Sequence, residues 1–227
     1  MKTSVKGYIK RFAMLMGGLI IAAYGVSMTA VSNLGVSPWD VFAQGLALKL
    51  SAMLGTTILM GTTIKWTGWV VLILSIALKE KVGFGTIIDI MIVGSFINFY
   101  LTSGIVPNPE SIVLRFVLLI AGFVVWSFGI YLYLAAELGA GPRDGLMAAL
   151  AKRNIPVSLA KNSIEAVVFV IGWVMGGTVG VGTVIAVFIM GYLIKFWFAV
   201  FKFDIAQAKN ESIVDTVKNF AALIKKQ

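Results

Sequence analysis

LGVSPWD at residues 34–40 returns as LGAGPRD at residues 138–144, so one leucine, glycine, proline and aspartate recur together 104 residues apart. Outward from this pair the match continues in register: Arg11 and Phe12 fall on Arg115 and Phe116, Gly18 on Gly122, and Gly25 on Gly129. A few residues drop out of the second copy, after which Lys65 falls on Lys161, VGFGT at 82–86 on VGVGT at 179–183, and Gly94 on Gly191. Matches kept in this order, glycines and proline included, mark a tandem duplication. The chain divides into a first repeat at 1–106, a junction at 107–112 that holds PNPES, a second repeat at 113–204 and a tail at 205–227.

Composition places both repeats in a membrane. Hydrophobic residues make up 59% of the chain and charged residues 13%, and the mean hydropathy of +0.95 exceeds that of a soluble domain. Apolar stretches lie near 12–31, 56–78, 86–102, 113–135, 162–177 and 183–201, and a helix needs about 20 such residues to cross the hydrocarbon. The expectation is an all-α polytopic membrane protein of two repeats of about 100 residues, with the bilayer as its first partner. The excess of positive charge, +9 overall, gathers toward the termini and reads as attraction to lipid and the positive-inside rule, with no nucleic-acid role.

The recurring motif is a helix-break-helix corner. Gly35 and Gly139 allow the backbone to leave the first helix, and Pro38 and Pro142 suit the first turn of the next, where a missing N–H costs nothing. Ser37 is placed to cap that helix, and Asp40 at its third position can lie against unpaired N–H groups, as Asp144 can in the second copy. After Pro142 the chain offers only RDGLMAALA before Lys152 and Arg153, a helix of at most about 20 Å that falls short of the hydrocarbon thickness. Each repeat therefore reads as three spans plus one re-entrant half-helix, and an odd number of spans inverts the second copy. The alternative is eight crossings with parallel repeats. Loop lysines and arginines divide six to three under either scheme, and both leave the N and C termini cytoplasmic.

Broken helices in a membrane persist where protein or a water-filled cavity satisfies the freed backbone groups, and repeat-built transporters bind solutes at such centres. The candidate solute or ion pathway comprises Asp40, Asp144, Arg143, Lys65, Lys161 and Glu137, with Asp40 and Asp144 facing Lys65 and Lys161. The copies differ in charge at four positions: Glu137 stands where the first has Asn33, Arg143 where it has Trp39, Glu165 where it has Trp69, and Asp89 where the second has Ala186. Read as folding residues instead, the aspartates are caps and the lysines reach for headgroups. VGFGT and VGVGT open spans, with Thr86 and Thr183 as caps, and are not phosphate loops. Histidine and cysteine are absent, which leaves no metal site, no catalytic triad and no expected cofactor or enzymatic activity. In the tail, Ile213, Val214, Val217, Phe220 and Ile224 form an apolar stripe at helical spacing, as in a helix lying on the cytoplasmic leaflet, with docking to the bundle or to a partner as the alternative.

With LGVSPWD, ELGAGPRDGLM and VGVGT together, residues 8–201 resemble the YczE/YyaS/YitT group of bacterial integral membrane proteins. The resemblance implies a multi-pass protein of the bacterial inner, or cytoplasmic, membrane and implies no settled chemistry. A secondary transporter or permease for a small solute is the functional expectation. A non-transporting accessory protein for signalling, assembly or secretion is the alternative, and glycine-rich spans also suit a homodimer.

Overall fold

A computed structural model of the chain describes residues 4–139, 141–151, 156–205, 208 and 210–224. Among them every regular element is a helix: α1 (Val5–Ser32), α2 (Pro38–Leu54), α3 (Met60–Ala77), α4 (Phe84–Ser103), α5 (Ile112–Ala135), α6 (Pro142–Ala151), α7 (Val157–Val174), α8 (Val181–Val200) and α9 (Ile213–Ile224). Five of these, α1, α3, α4, α5 and α8, are long and apolar enough to cross a membrane. The sixth expected span falls in α7, an 18-residue helix whose first half carries Lys161, Asn162 and Glu165. Large apolar side chains such as Val113, Val117, Val174 and Phe188 stand exposed around the bundle, a surface suited to lipid and not to water.

The two longest helices make the centre. α1 and α5 cross antiparallel and in near backbone contact, because glycines face backbone on both sides. A Cβ on Gly18 would fall 2.8 Å from the Gly129 carbonyl oxygen, and one on Gly25 would fall 2.7 Å from that of Gly122. The contact between Gly18 and Gly129 becomes, at the 104-residue offset, the contact between Gly122 and Gly25. Small residues at such a seam let helices without a hydrophobic driving force gain dispersion energy. Of the glycines at helix positions, Gly17 meets nothing within 4 Å and is not part of the seam.

Other helices pack around this pair in matched fashion. α4 runs parallel to α1, from Gly85 beside Leu15 to Ile97 beside Ala23 and Val26, while α8 runs parallel to α5, from Ala186 against Leu119 to Phe201 stacked on Tyr131 at 4.7 Å. α3 returns antiparallel to α4, pairing Gly61 with Gly94 and Gly68 with Ile90. We call the end holding Tyr8 and the α3–α4 connection the proximal face, and the end holding Val106 and the α1–α2 corner the distal face.

The first turn of α2 is not at the bundle's surface. Trp39, in the first turn of α2, is buried in the bundle against Val71 and Leu146. From there α2 runs outward to the distal face, where the Thr63 hydroxyl donates to the Ala43 carbonyl at 2.7 Å. α6 has 10 residues, about 15 Å at 1.5 Å per residue, which is half the hydrocarbon thickness. Both start from the LGxxPxD corner.

A clasp from a distant segment holds each corner. The Leu34 carbonyl accepts from the N–H of Gly182 at 2.7 Å, and the Leu138 carbonyl accepts from the N–H of Gly85 at 2.8 Å. VGFGT and VGVGT thus do more than open spans: each lays its backbone on an LGxxPxD corner far from it in sequence. Gly35 at φ 105° and Gly139 at φ 127° supply a backbone shape other residues rarely adopt. Thr183 does cap α8, accepting from the Gly180 N–H at 3.3 Å.

Arginines complete the clasps. Arg11 Nε donates to the Ala136 carbonyl at 2.6 Å and Nη2 to that of Glu137 at 2.6 Å. Arg115 Nε donates to the Ser32 carbonyl at 2.7 Å and Nη2 to that of Asn33 at 3.1 Å. Each guanidinium therefore forks onto the unsatisfied carbonyls at the other copy's helix C-terminus, where the dipole also favours a cation. Arg115, expected only as a loop charge, is a structural cap.

Candidate solute cavity and the proximal corner

All eight bundle helices line one central cavity of ≈ 380 Å³. Its wall is largely apolar, and its described ionisable residues are Asp40, Asp89, Arg143, Lys161 and Glu165. Asp40 and Arg143 come from the first turns of α2 and α6, so the two half-helices point their N-termini at the same space. Asp89 stands in the second turn of α4 from the proximal face, and Lys161 and Glu165 stand in the first half of α7. The ionised part of the lining therefore belongs to the bundle's centre and its proximal half.

Asp40 is 2% exposed, and burying a carboxylate in a membrane is costly without partners. It has two. Ser37 Oγ donates to its Oδ2 at 2.6 Å, and Arg143 is the cation acting on it. This corrects the expected cap: Ser37 makes no side-chain bond to the α2 backbone and serves the aspartate instead. The second copy has Gly141 where the first has Ser37, so this hydroxyl has no counterpart there. Asp144 stands in α6, but its side chain lies outside the described residues, as do Lys152, Arg153, Lys225 and Lys226.

Arg143 lies flat on Trp39, its guanidinium carbon 4.5 Å from the ring centroid. Such stacking holds a cation against an aromatic face and leaves the N–H edge open. Lys161 Nζ sits 3.6 Å from Glu165 Oε1, one turn along α7. Lys65 is not in the cavity at all: its Nζ is 3.4 Å from the Ser95 hydroxyl on the outer side of α3 and α4. Its register match to Lys161 does not extend to its surroundings. Lys65→Ala is accordingly expected to leave folding and any cavity function within two-fold of the parent, whereas a ten-fold loss of solute binding would put Lys65 back in the pathway.

Glu137 is also away from the cavity. It occupies a left-handed position at φ 53°, as Asn33 does at φ 53°, and it contributes its backbone carbonyl to the proximal corner. Of the four positions where the copies differ in charge, Arg143, Glu165 and Asp89 line the cavity and Glu137 does not.

The proximal corner carries a part the distal one lacks. Residues 211–213 lie across it, with the Glu211 N–H donating to the Glu137 carbonyl at 3.1 Å and the Ile213 N–H to the Val82 carbonyl at 3.0 Å. The Glu211 carboxylate takes Arg11 Nη1 at 2.7 Å and the Tyr8 hydroxyl at 2.9 Å. The tail is therefore docked at its start and is not simply a leaflet-bound helix, although α9 still exposes Val214 and Val217. No periodicity signals such a contact, because Glu211 and Arg11 lie 200 residues apart. Burial pushes the Glu211 carboxyl up, but hydrogen bonds from Arg11 and Tyr8 and the charge of Arg11 outweigh it and hold it below the usual range. A carboxyl depressed in this way stabilises docking above its unfolded value of about 4.5, and that contribution disappears as pH falls through the lowered value. Glu211→Gln should raise hydrogen exchange of the 211–213 amides several-fold at pH 7, and the parent should reach the same rate, corrected for intrinsic exchange, once acidification has carried the pH below the lowered value of that carboxyl. Unchanged protection in the variant would mean that the backbone bonds alone dock the tail.

With cavity and corners in view, comparison with other sequences decides the family. The chain belongs to DUF6198, a family of unknown function, whose pattern matches residues 9–199. It is 30% identical over 189 residues to a protein of Haemophilus influenzae described as uncharacterized, covering 83% of each chain. Against the uncharacterized membrane protein YczE of Bacillus subtilis it is 30% identical over 191 residues, covering 83% of this chain and 85% of that one. YyaS, from the same Bacillus, is 28% identical over 78% of this chain and 87% of its own. The expected kinship with YczE and YyaS is therefore established. No solved structure matches the chain. Its apolar helices and its relation to YczE make it a membrane protein.

Proposed function

We propose that this family member is a secondary transporter or permease for a small solute, built from two inverted copies that each contribute three crossings and one re-entrant half-helix. The observation that carries the reading is the exchange of roles about the centre. The seam of Gly18 with Gly129, the fork of Arg11 on Ala136 and Glu137, and the bond from Gly85 to Leu138 each have a partner with the copies swapped. Two inverted copies sharing one cavity can rock between two equivalent arrangements, opening it to one side and then the other. Basic residues support bacterial-cytoplasmic placement of the proximal face: Lys6, Lys10, Arg11, Lys79, Lys81 and Lys202 gather there, against Lys49, Lys65 and Arg115 toward the distal face. The reading assigns no catalytic step to any side chain.

The absence of native cysteine makes the test direct. A single cysteine replacing Ser37, which lines the cavity, is expected to react with a membrane-impermeant maleimide applied to intact cells and, separately, to inverted vesicles. Reaction from one side only would remove alternating access. The exposed apolar face of α9 favours a second reading, in which the protein assists another membrane component through its tail; removal of residues 205–227 would then abolish its action while leaving two-sided labelling untouched.

A further inference from the structure

In the register that lays VGFGT on VGVGT, Ile90, Gly94 and Ile97 of α4 fall on Val187, Gly191 and Ile194 of α8. The spacing is helical, so each set forms one stripe along its helix. The stripe on α4 is covered. Ile90 is 3% and Ile97 0% exposed, and α3 lies across them with Gly68 against Ile90 and Gly61 against Gly94. The stripe on α8 is open: Val187 is 53% exposed, Ile194 is half-buried, and a Cβ on the exposed Gly191 would meet nothing within 4 Å. All three line the central cavity. α7 packs instead on α6 and on α2, where a Cβ on Gly172 would run into the Phe42 backbone, and α7 and α8 barely touch. Among the described residues, the cavity wall is therefore open between α7 and α8.

We infer that this opening is a lateral portal, and that the solute is a single-chain amphiphile dissolved in the bilayer, which enters the cavity sideways by its hydrocarbon chain. The inference rests on the reading of the cavity as a solute site and adds the solute's class and route. Both helices that border the opening expose large apolar side chains, Phe188 and Tyr192 on α8 and Val170 and Trp173 on α7, so hydrocarbon and not water lies at its mouth. A cavity for a hydrated solute has to be sealed from that hydrocarbon, because polar groups set against lipid without partners are costly. A hydrocarbon chain passes without that cost, and the apolar wall at Val26, Trp126 and Ala186 suits it once inside. The polar end has a place as well. Lys161 and Glu165 line the cavity from the first half of α7, and Lys161 is exposed, so a head group can stay beside this pair while the chain lies within.

The test uses the purified full chain in lipid nanodiscs that contain hexadecanoic acid with a diazirine at mid-chain. After irradiation, adducts are mapped by peptide mass spectrometry, and those on the outward Val117 and Phe188 serve as the internal standard. Adducts are also expected on Val26 and Trp126, inside the bundle on the cavity wall. Gly191→Trp and Val187→Trp each place a bulky ring in the opening and should lower the inner adducts at least about three-fold against the outer standard. Gly17→Trp, at an equally open glycine of α1, should leave them unchanged. Outer adducts alone in the parent, or inner adducts undiminished in both portal variants, would overturn the inference, and the parent measurement does not depend on any variant folding. Two-sided labelling of the Ser37 cysteine with no inner adducts would sink the portal and leave the transport reading standing. Inner adducts with one-sided labelling would do the reverse.

Discussion

Gly25→Ile is expected to abolish accumulation of folded protein, as is Gly129→Ile, while Gly17→Ile and Gly191→Ile are expected to be tolerated. At Gly25 a Cβ alone would lie 2.7 Å from both the Gly122 carbonyl oxygen and the Trp126 Cα, and at Gly129 it would lie 2.6 Å from the Gly18 carbonyl oxygen. The obstacles are backbone atoms of a packed helix, so no side-chain rotation relieves them. α1 and α5 would have to separate along the seam that α4 and α8 pack against, giving up dispersion contacts and both corner clasps. Overpacking of a close helix seam costs about 1 to 3 kcal/mol even where the structure adapts, and more where it cannot, against a total stability of about 5 to 15 kcal/mol. Gly17 and Gly191 meet nothing within 4 Å. Size-exclusion profiles of fluorescent fusions in mild detergent would show the difference. A monodisperse peak for Gly25→Ile would mean that the α1–α5 seam does not hold the fold.

Arg115→Ala destabilises the protein by about 3 kcal/mol, from the loss of two charge-assisted bonds at about 1.5 kcal/mol each. Its guanidinium is the partner of the Ser32 and Asn33 carbonyls at the end of α1, and no neighbouring cation replaces it there. Arg115→Lys recovers part of the loss, since one ammonium can reach a carbonyl but cannot fork across two. Arg11→Ala costs at least as much, because it also strips the Glu211 carboxylate of its cation; the pair are 13% and 15% exposed, so neither is well solvated when alone. Thermal unfolding of the three variants gives the comparison. Should Arg11→Ala prove markedly milder than Arg115→Ala, the docked tail would be contributing nothing to the proximal corner.

The offset at which LGVSPWD meets LGAGPRD was readable from residue spacing, and with it came the corners and the short α6. Glycine, proline and aspartate at fixed offsets constrain local backbone, and local constraints are written in consecutive residues. Lys65 and Glu137 show where that reasoning stops. Both match their counterparts in register, yet a helix has several faces, and a residue shift or a change of partner turns one toward lipid or toward a corner. Ser37 shows the same limit: cap propensity placed it correctly, but a buried carboxylate one turn away took its hydroxyl.

Hydropathy and the recurring corner motif determined from the residues alone that this is a helical membrane protein with broken helices, and the sequence holds no histidine or cysteine. Tertiary structure alone decided that Arg11 and Arg115 fork across the copies, that each GxGT segment clasps the other copy's corner, that Glu211 docks the tail, and that Asp40, Arg143 and Trp39 meet. The reason is one of range: a helix end exposes unsatisfied carbonyls whatever follows it, but which donor arrives depends on how helices a hundred residues apart cross. That crossing is set by two pairs of glycines whose facing partners only the folded chain reveals.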